Sequence, residues 1–342
     1  VRKGDSTASI MRQVMYASLP GLAAMLWFFG WGHAITLAWA CLSAVAIEAL
    51  VLLLRRRSLR ILEDCSALLT GWLLGLALPA FSPWWLTLIA VAFAILAGKQ
   101  LFGGLGSNPF NPAMLGYAFV LVMFPVAFAV QGLSPGSSGA GSMDLATAWD
   151  LILYPASSGA DAVTSATVLA AFQARGGLTV AEFVAASPAL GAFGSLGWEW
   201  VNLGFLAGGL WLLHRRIFTW HAPLGMLAGL GLGAALYYDA GSSASLGSPL
   251  MHWFSGAAML GAFFIITDPV SSAVLPRDRL LIGLGAGFAV FAIRSWGRYP
   301  DGVAFAVLLA NLWACWSNRL ARPPVPATGR TGSPGSPGSD SS

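Results

Sequence analysis

The run Asp161-Ala162-Val163-Thr164-Ser165-Ala166-Thr167 offers hydroxyls and a carboxylate close together in an otherwise apolar chain. It lies inside the one long polar interval of the sequence, roughly residues 131–195. The interval holds no metal-ligand cluster and no nucleotide-binding loop, so the chemistry on offer is that of a hydroxyl. Immediately downstream, Val168-Leu169-Ala170-Ala171-Phe172-Gln173-Ala174-Arg175 reads as a short helix ended by Gly176-Gly177. Thr164 or Ser165 would then be its N-cap, and Thr167 falls in the first turn. Free backbone N–H groups and the positive end of the helix dipole make that position suitable for a phosphate. A plain Thr/Ser cap with nothing attached satisfies the same pattern, and the local pattern alone favours it. Arg175 either offsets phosphate charge or complements the helix C-terminus, the latter being the default.

Two interruptions of apolar sequence are the other candidates. The first, Gly103-Gly104-Leu105-Gly106-Ser107-Asn108-Pro109-Phe110-Asn111-Pro112-Ala113, cannot continue a helix. Open backbone at membrane depth is tolerated only where it is buried in protein or lines a cavity. A cytoplasmic turn is the plain alternative, but two Asn-Pro steps behind three glycines weigh against it. The second is Thr267-Asp268-Pro269-Val270-Ser271-Ser272-Ala273, in which Asp268-Pro269 parallels Asn108-Pro109. Paired helix breaks in two halves point to a central binding site. Asp268 either caps its own turn or binds a cation or a cofactor hydroxyl. Glu48 is the other carboxylate in an apolar stretch; ahead of Arg55-Arg56-Arg57, it reads as an interfacial residue rather than a functional one. His33, His214, His221 and His252 are scattered, and Cys41, Cys65 and Cys315 lack CxxC spacing, so neither haem ligation nor an iron–sulfur motif is expected.

These residues need elements to hold them, and composition identifies the kind. Of 342 residues, 57% are hydrophobic and 9% charged, with 15 Trp and 20 Phe; a soluble domain carries about 25% charged residues. Mean hydropathy is +0.72. The surroundings must be mostly lipid. Span-length apolar segments fall at about 13–31, 33–54, 65–79, 84–101, 113–130, 197–213, 223–238, 249–266, 280–295 and 302–316. The fold class expected is therefore all-α integral membrane, with about ten transmembrane helices in two five-helix halves and a polar periplasmic insertion between them. Alternating ten spans put all but Arg175, Arg294 and Arg298 of the 18 Lys and Arg residues on one side, which the positive-inside rule makes cytoplasmic. The expected organisation is a cytoplasmic N-terminus (1–12), a first half (13–130), the insertion (131–196), a second half (197–318) and a disordered Pro/Gly/Ser tail (319–342). The net charge of +4 sits in loops on one side and is no nucleic-acid signature.

The Gly-Gly-Leu-Gly-Ser-Asn-Pro-Phe-Asn-Pro-Ala-Met run at 103–114, with Thr267-Asp268-Pro269-Val270-Ser271 and the membrane pattern, resembles the RnfD/NqrB family over roughly residues 15–320. The start of the sequence and the short interval favour RnfD. That resemblance implies an integral subunit of an ion-translocating complex in a bacterial inner membrane, exchanging electrons between ferredoxin and NAD(H). Partner subunits would bring iron–sulfur clusters and further flavin, with lipid around them and no nucleic acid. It also implies FMN attached through its phosphate to a threonine in a motif like Asp-Gly-x-Ser/Thr-Gly-Ala-Thr. The matching residues here are Asp161, Ala162, Thr164, Ser165, Ala166 and Thr167, with Ala162 and Ser165 standing where glycines are expected. A second, non-covalent flavin (riboflavin) or an ion path is a further expectation near Asn108, Asn111 and Asp268. A redox subunit rather than a stand-alone enzyme is the reading; a channel or secondary transporter built on paired broken helices is the alternative, and a structural scaffold a third.

Overall fold

The computed structural model describes residues 6–129, 145–154, 168–187, 190–191, 193–297, 299 and 301–320. Among these residues there is no strand, only an isolated bridge between Leu190 and Ser195. In order, the helices are α1 Thr7–Phe29, α2 Gly32–Leu54, α3 Ser66–Ala77, α4 Trp84–Leu96, α5 Pro112–Met123 and α6 Pro125–Ala129. The polar interval contributes α7 Leu145–Leu153, α8 Val168–Gln173 and α9 Val180–Ala186. Then follow α10 Trp198–His214, α11 His221–Leu236, α12 Pro249–Trp253, α13 Ala258–Leu260, α14 Pro276–Trp296 and α15 Val303–Leu320. A π-helical turn, Gly261–Ile265, extends α13.

Helix starts follow local chemistry. Ser6 caps α1 by accepting the Ser9 N–H at 3.2 Å. Asn111 caps α5 by accepting the Met114 N–H at 3.2 Å, with Pro112 at N1, where its missing N–H costs nothing. All ten apolar stretches of the sequence contain helix. Four helical segments, Gly32–Leu54, Trp84–Phe102, Pro276–Trp296 and Val303–Leu320, are long and apolar enough to cross a bilayer, and Ser66–Ala77, Pro112–Met123 and His221–Leu236 are shorter apolar helices. The side-chain distribution suits lipid. Large apolar groups such as Trp27, Leu42, Leu54 and Trp316 point outward, while Ala40, Ala44, Ala90 and Ala94 are fully buried between helices. This is a membrane protein.

The two sets of apolar helices pack by the same scheme. In each, the second element packs on the third and fourth (α2 on α3 and α4; α11 on α12 and α14), and the fourth packs on the fifth (α4 on α5; α14 on α15). The first elements, α1 and α10, pack on each other. Lipid supplies no hydrophobic drive between helices, so close approach depends on small residues. A Cβ on Gly208 would lie 1.7 Å from the Ala17 carbonyl oxygen across the α1–α10 seam. On the α11–α14 seam, Cβ atoms on Gly229 and Gly287 would lie 2.0 and 1.9 Å from the carbonyl oxygens of Leu284 and Met226. Backbone cannot give way as a side chain does. Gly287→Ala is therefore expected to destabilise the protein by roughly 1–3 kcal/mol through overpacking, read as a lower melting temperature in detergent. An unchanged melt would show the seam to be loose.

The scheme settles how the two sequence breaks relate. The 103–111 break lies between the fourth and fifth elements of its set, and the 267–273 break between the third and fourth of the other. They are not equivalents, and the likeness of Asp268-Pro269 to Asn108-Pro109 is local. By position, 79–83 corresponds to 267–273, and 103–111 to 297–302.

Candidate functional site

The residues Asp161, Ala162, Thr164, Ser165, Ala166 and Thr167 lie outside the described residues, as do those of the 319–342 tail beyond Leu320. The helix that follows Thr167 is described. α8 runs from Val168 to Gln173, and Gly176 and Gly177 take positive φ angles of 65° and 90° after it, as the glycine pair implies. Arg175 donates to the carbonyls of Phe172 at 2.9 Å, Leu178 at 3.0 Å and Ser243 at 3.0 Å, and also to Ser245. It completes a helix C-terminus and ties it to a neighbouring loop, the default role for a basic residue at that place. Its partial burial pulls the guanidinium down from its ordinary value. Further on, Thr179 and Glu182 form a reciprocal capping box at the start of α9. Bonds from the Thr179 N–H and hydroxyl hold the Glu182 carboxyl below the ordinary carboxylate range.

Asn108 and Asn111, with Asp268 far from them in sequence, line one cavity of about 150 Å³. Its other polar walls are Ser66, Thr70, Lys99 and Thr267, and apolar surface comes from Leu69, Phe263 and Phe264 among others. The connection between α4 and α5 is shaped by three glycines at φ 101°, 115° and 95° (Gly103, Gly104, Gly106), a region that side chains rarely adopt. Asn108 Nδ2 donates to the Phe110 carbonyl at 2.9 Å. Asn111 stitches the two breaks together. Its N–H donates to Asn311 Oδ1 at 2.9 Å, its Nδ2 to the Ile265 carbonyl at 3.4 Å, and Asn311 Nδ2 donates to the Ser271 carbonyl at 3.2 Å. Asp268 accepts from the Val270 N–H at 3.2 Å and from the Ser271 hydroxyl at 2.9 Å. Its carboxylate thus caps its own turn, and the residue lines the cavity.

Asn108 is different. It is only 4% exposed, and its Oδ1 has no hydrogen-bond partner among the described residues. A buried amide oxygen without a donor costs about 1–3 kcal/mol, so a ligand N–H or O–H entering the cavity would be favoured there.

Next to the cavity lies a buried ion pair. Glu48 is 1% exposed and paired with Lys99, itself 2% exposed. Lys99 Nζ lies 2.7 Å from Glu48 Oε1 and donates to Ser66 Oγ at 2.6 Å, while Gln100 Nε2 donates to Glu48 Oε1 at 3.0 Å. Lys99, in the turn after α4, is therefore a buried partner of Glu48 and Ser66. The available signal is a lone Glu and a lone Lys, each in an apolar run, in a chain with so few charges.

A second pair, with a buried cation and a partly exposed carboxylate, has its cation at the matching place in the other set. Arg294, in the last turn of α14, holds Asp301 at 3.0 Å, just as Lys99 follows α4. Its guanidinium also donates to the carbonyls of His252 at 2.7 Å and Ser255 at 3.2 Å, and Asp301 Oδ2 accepts the Ala257 N–H at 2.8 Å. In both sets, then, a cation at the end of the fourth element reaches the third element or the turn beside it.

Comparison with known proteins fits this architecture. The family model described as NQR2, RnfD, RnfE matches residues 1–325. A Pseudomonas aeruginosa (strain UCBPP-PA14) protein, named as a subunit of an ion-translocating oxidoreductase complex, is 52% identical over 94% of this chain and 92% of the relative. Proteins of the same name from Alcanivorax borkumensis and Vibrio cholerae are 48% and 46% identical, over 93% and 91% of this chain and 92% of each relative. With a family model spanning nearly its whole length and relatives this similar, the chain belongs to the NQR2, RnfD, RnfE family.

Proposed function

We propose that this chain is the FMN-carrying membrane subunit of an Rnf-type complex, which couples electron transfer between ferredoxin and NAD(H) to ion translocation. The observation that carries the reading is the near-full-length similarity to proteins named as one subunit of an ion-translocating oxidoreductase complex. In this proposal the ten apolar stretches all cross a bacterial inner membrane, in halves 13–130 and 197–318. Both termini are cytoplasmic and residues 131–196 are periplasmic. Thr167 bears the FMN phosphoryl group, with Asp161, Thr164, Ser165 and Ala166 forming the stretch around it. Other subunits carry iron–sulfur clusters and further flavin. A flavin, when bound, supplies one- and two-electron chemistry, and the protein supplies binding, orientation and electrostatics.

The cavity suits a second, non-covalent ligand such as riboflavin, or an ion path. Asn108 Oδ1 would accept an N–H from a flavin ring, Asn111 and Asp268 would hold the two breaks in place around it, and Phe263 and Phe264 would supply apolar contact. The recess is about 150 Å³, a volume that takes a one-ring ligand, so it would receive part of a flavin ring system. Removing the one acceptor should weaken binding about five- to tenfold, corresponding to about 1–1.5 kcal/mol for one neutral hydrogen bond. Titrating riboflavin into the purified protein and into Asn108→Ala, followed by flavin fluorescence, checks this. Equal affinities would remove Asn108 from the contact, and no binding to the wild type would leave the ion path.

For the function as a whole, membrane vesicles lacking this chain should lose ion uptake driven by ferredoxin–NAD(H) exchange. The chain reconstituted alone should move no solute. Solute flux through the isolated chain would favour a transporter instead.

A further inference from the structure

We propose that the groove between the start of α14 and the end of α15 binds an anionic phospholipid. It draws on no cofactor and shares no lining residue with the cavity at Asn108. Leu275, Leu281, Ile282, Trp313, Trp316 and Leu320 border about 370 Å³, with Asp278 and Ser317 as the polar part of the wall. All but Ile282 of those six are exposed. Apolar exposure is ordinary on a membrane protein, so the charged groups at the rim decide what fits.

Arg277, next to Asp278, and Arg319, next to Leu320, are exposed, and neither makes an ion pair among the described residues. The two helix ends are tied together. Ser317 donates its hydroxyl to Asp278 Oδ2, and Asn318 accepts the Val274 N–H at 2.8 Å while donating to the Ser272 carbonyl at 3.2 Å. Each arginine is thus one residue from a side chain that lines the same recess. Arg319 has an ordinary role available, complementing the C-terminal end of α15. Arg277 has none: a cation in the first turn of α14 opposes the helix dipole. Arg279 is committed to the Ala273 carbonyl at 2.7 Å and the Thr219 hydroxyl at 3.1 Å, so it fixes the turn. Asp278 brings a negative charge, but it takes the Ser317 hydroxyl, and three arginines against one aspartate leave this end positive. Two exposed guanidiniums beside an apolar slot match a phosphate above acyl chains. Arginine pairs its planar fork with phosphate, tryptophan seats at headgroup level, and basic pockets between membrane helices take anionic headgroups.

The full chain in a neutral detergent, titrated with phosphatidylglycerol or phosphatidylcholine and followed by native mass spectrometry, tests the site. Phosphatidylglycerol should bind roughly tenfold or more tightly than phosphatidylcholine, as two arginines near a membrane surface imply. Arg277→Gln and Arg319→Gln should each weaken it about fivefold, with the melting temperature in phosphatidylcholine unchanged. Arg60→Gln, which removes an exposed arginine elsewhere, should leave the affinity as it is. Equal binding of the two lipids, or an equal loss in Arg60→Gln, would overturn the proposal. Glycerol phosphate, the headgroup without its chains, should not compete; competition would assign the arginines to a free anion and overturn the lipid. The assembled complex should bind phosphatidylglycerol with the same dependence on Arg277 and Arg319. If it does not, the groove is a contact with another subunit and the lipid site falls.

Discussion

Thr167→Ala should abolish the fluorescent band that the wild-type protein shows under ultraviolet light after denaturing electrophoresis. The wild type must be expressed together with a flavin transferase for the comparison. A phosphoester link to a side-chain oxygen survives detergent and heat, whereas flavin held by contacts is released when the fold is lost. The loss should thus be complete rather than graded. Thr167→Ser keeps a hydroxyl at the same position and should keep at least part of the signal. Asp161→Ala, which removes the carboxylate but not the anchor, should reduce modification without eliminating it. Fluorescence retained in Thr167→Ala would mean that another hydroxyl, with Thr164 and Ser165 the nearest candidates, carries the flavin. A dark wild-type band would remove the attachment altogether. The presence of Ala162 and Ser165 in place of the expected glycines makes the experiment informative: if the band is present, the stretch tolerates side chains where the family pattern has none.

The second large effect is expected at the buried pair beside the cavity. Lys99→Met leaves the Glu48 carboxylate in an apolar surrounding with Gln100 as its remaining donor among the described residues. Removing one partner of a buried pair costs about 3–5 kcal/mol, because the remaining charge is uncompensated. Glu48→Gln removes the counter-charge of the Lys99 ammonium, leaving it only neutral acceptors such as the amide oxygen and Ser66 Oγ, and should cost a similar amount. The double variant Glu48→Gln/Lys99→Met removes both charges, and should recover much of the loss, since neutral groups that pack well often replace buried pairs at little cost. Thermal melting of the four proteins in detergent gives the coupling directly. Additive losses in the double variant would show that the two side chains act independently. Because Lys99 and Ser66 also line the cavity, the same variants should alter ligand affinity there, whereas an overpacked seam at Gly287 should change stability alone.

Several features are decided by sequence because they depend on neighbours in the chain. Composition alone demands lipid, and each apolar stretch contains helix where it is expected. Asn111-Pro112 opens α5 by a cap and an N1 proline, and Gly176-Gly177 follows α8, since both signals act within a turn of the backbone. Asn108, Asn111 and Asp268 stand out in the sequence as helix breaks, and tertiary structure gathers them around one cavity. It also decides what sequence alone leaves silent: that Glu48 meets Lys99 across 51 residues, that Asn311 joins Asn111, 200 residues before it, to Ser271, and that the Gln173 amide donates to the Arg294 carbonyl. A shared Asp/Asn-Pro step makes the two breaks look like equivalents, but helix packing shows they occupy different places in the two sets. The reason is physical. In water, the spacing of apolar residues marks the face that packs; in lipid both faces are apolar, so spacing reports that a helix forms but not which neighbour it meets. What selects the neighbour is close approach at glycine and the pairing of the few buried polar groups, and those meet only when the chain has folded.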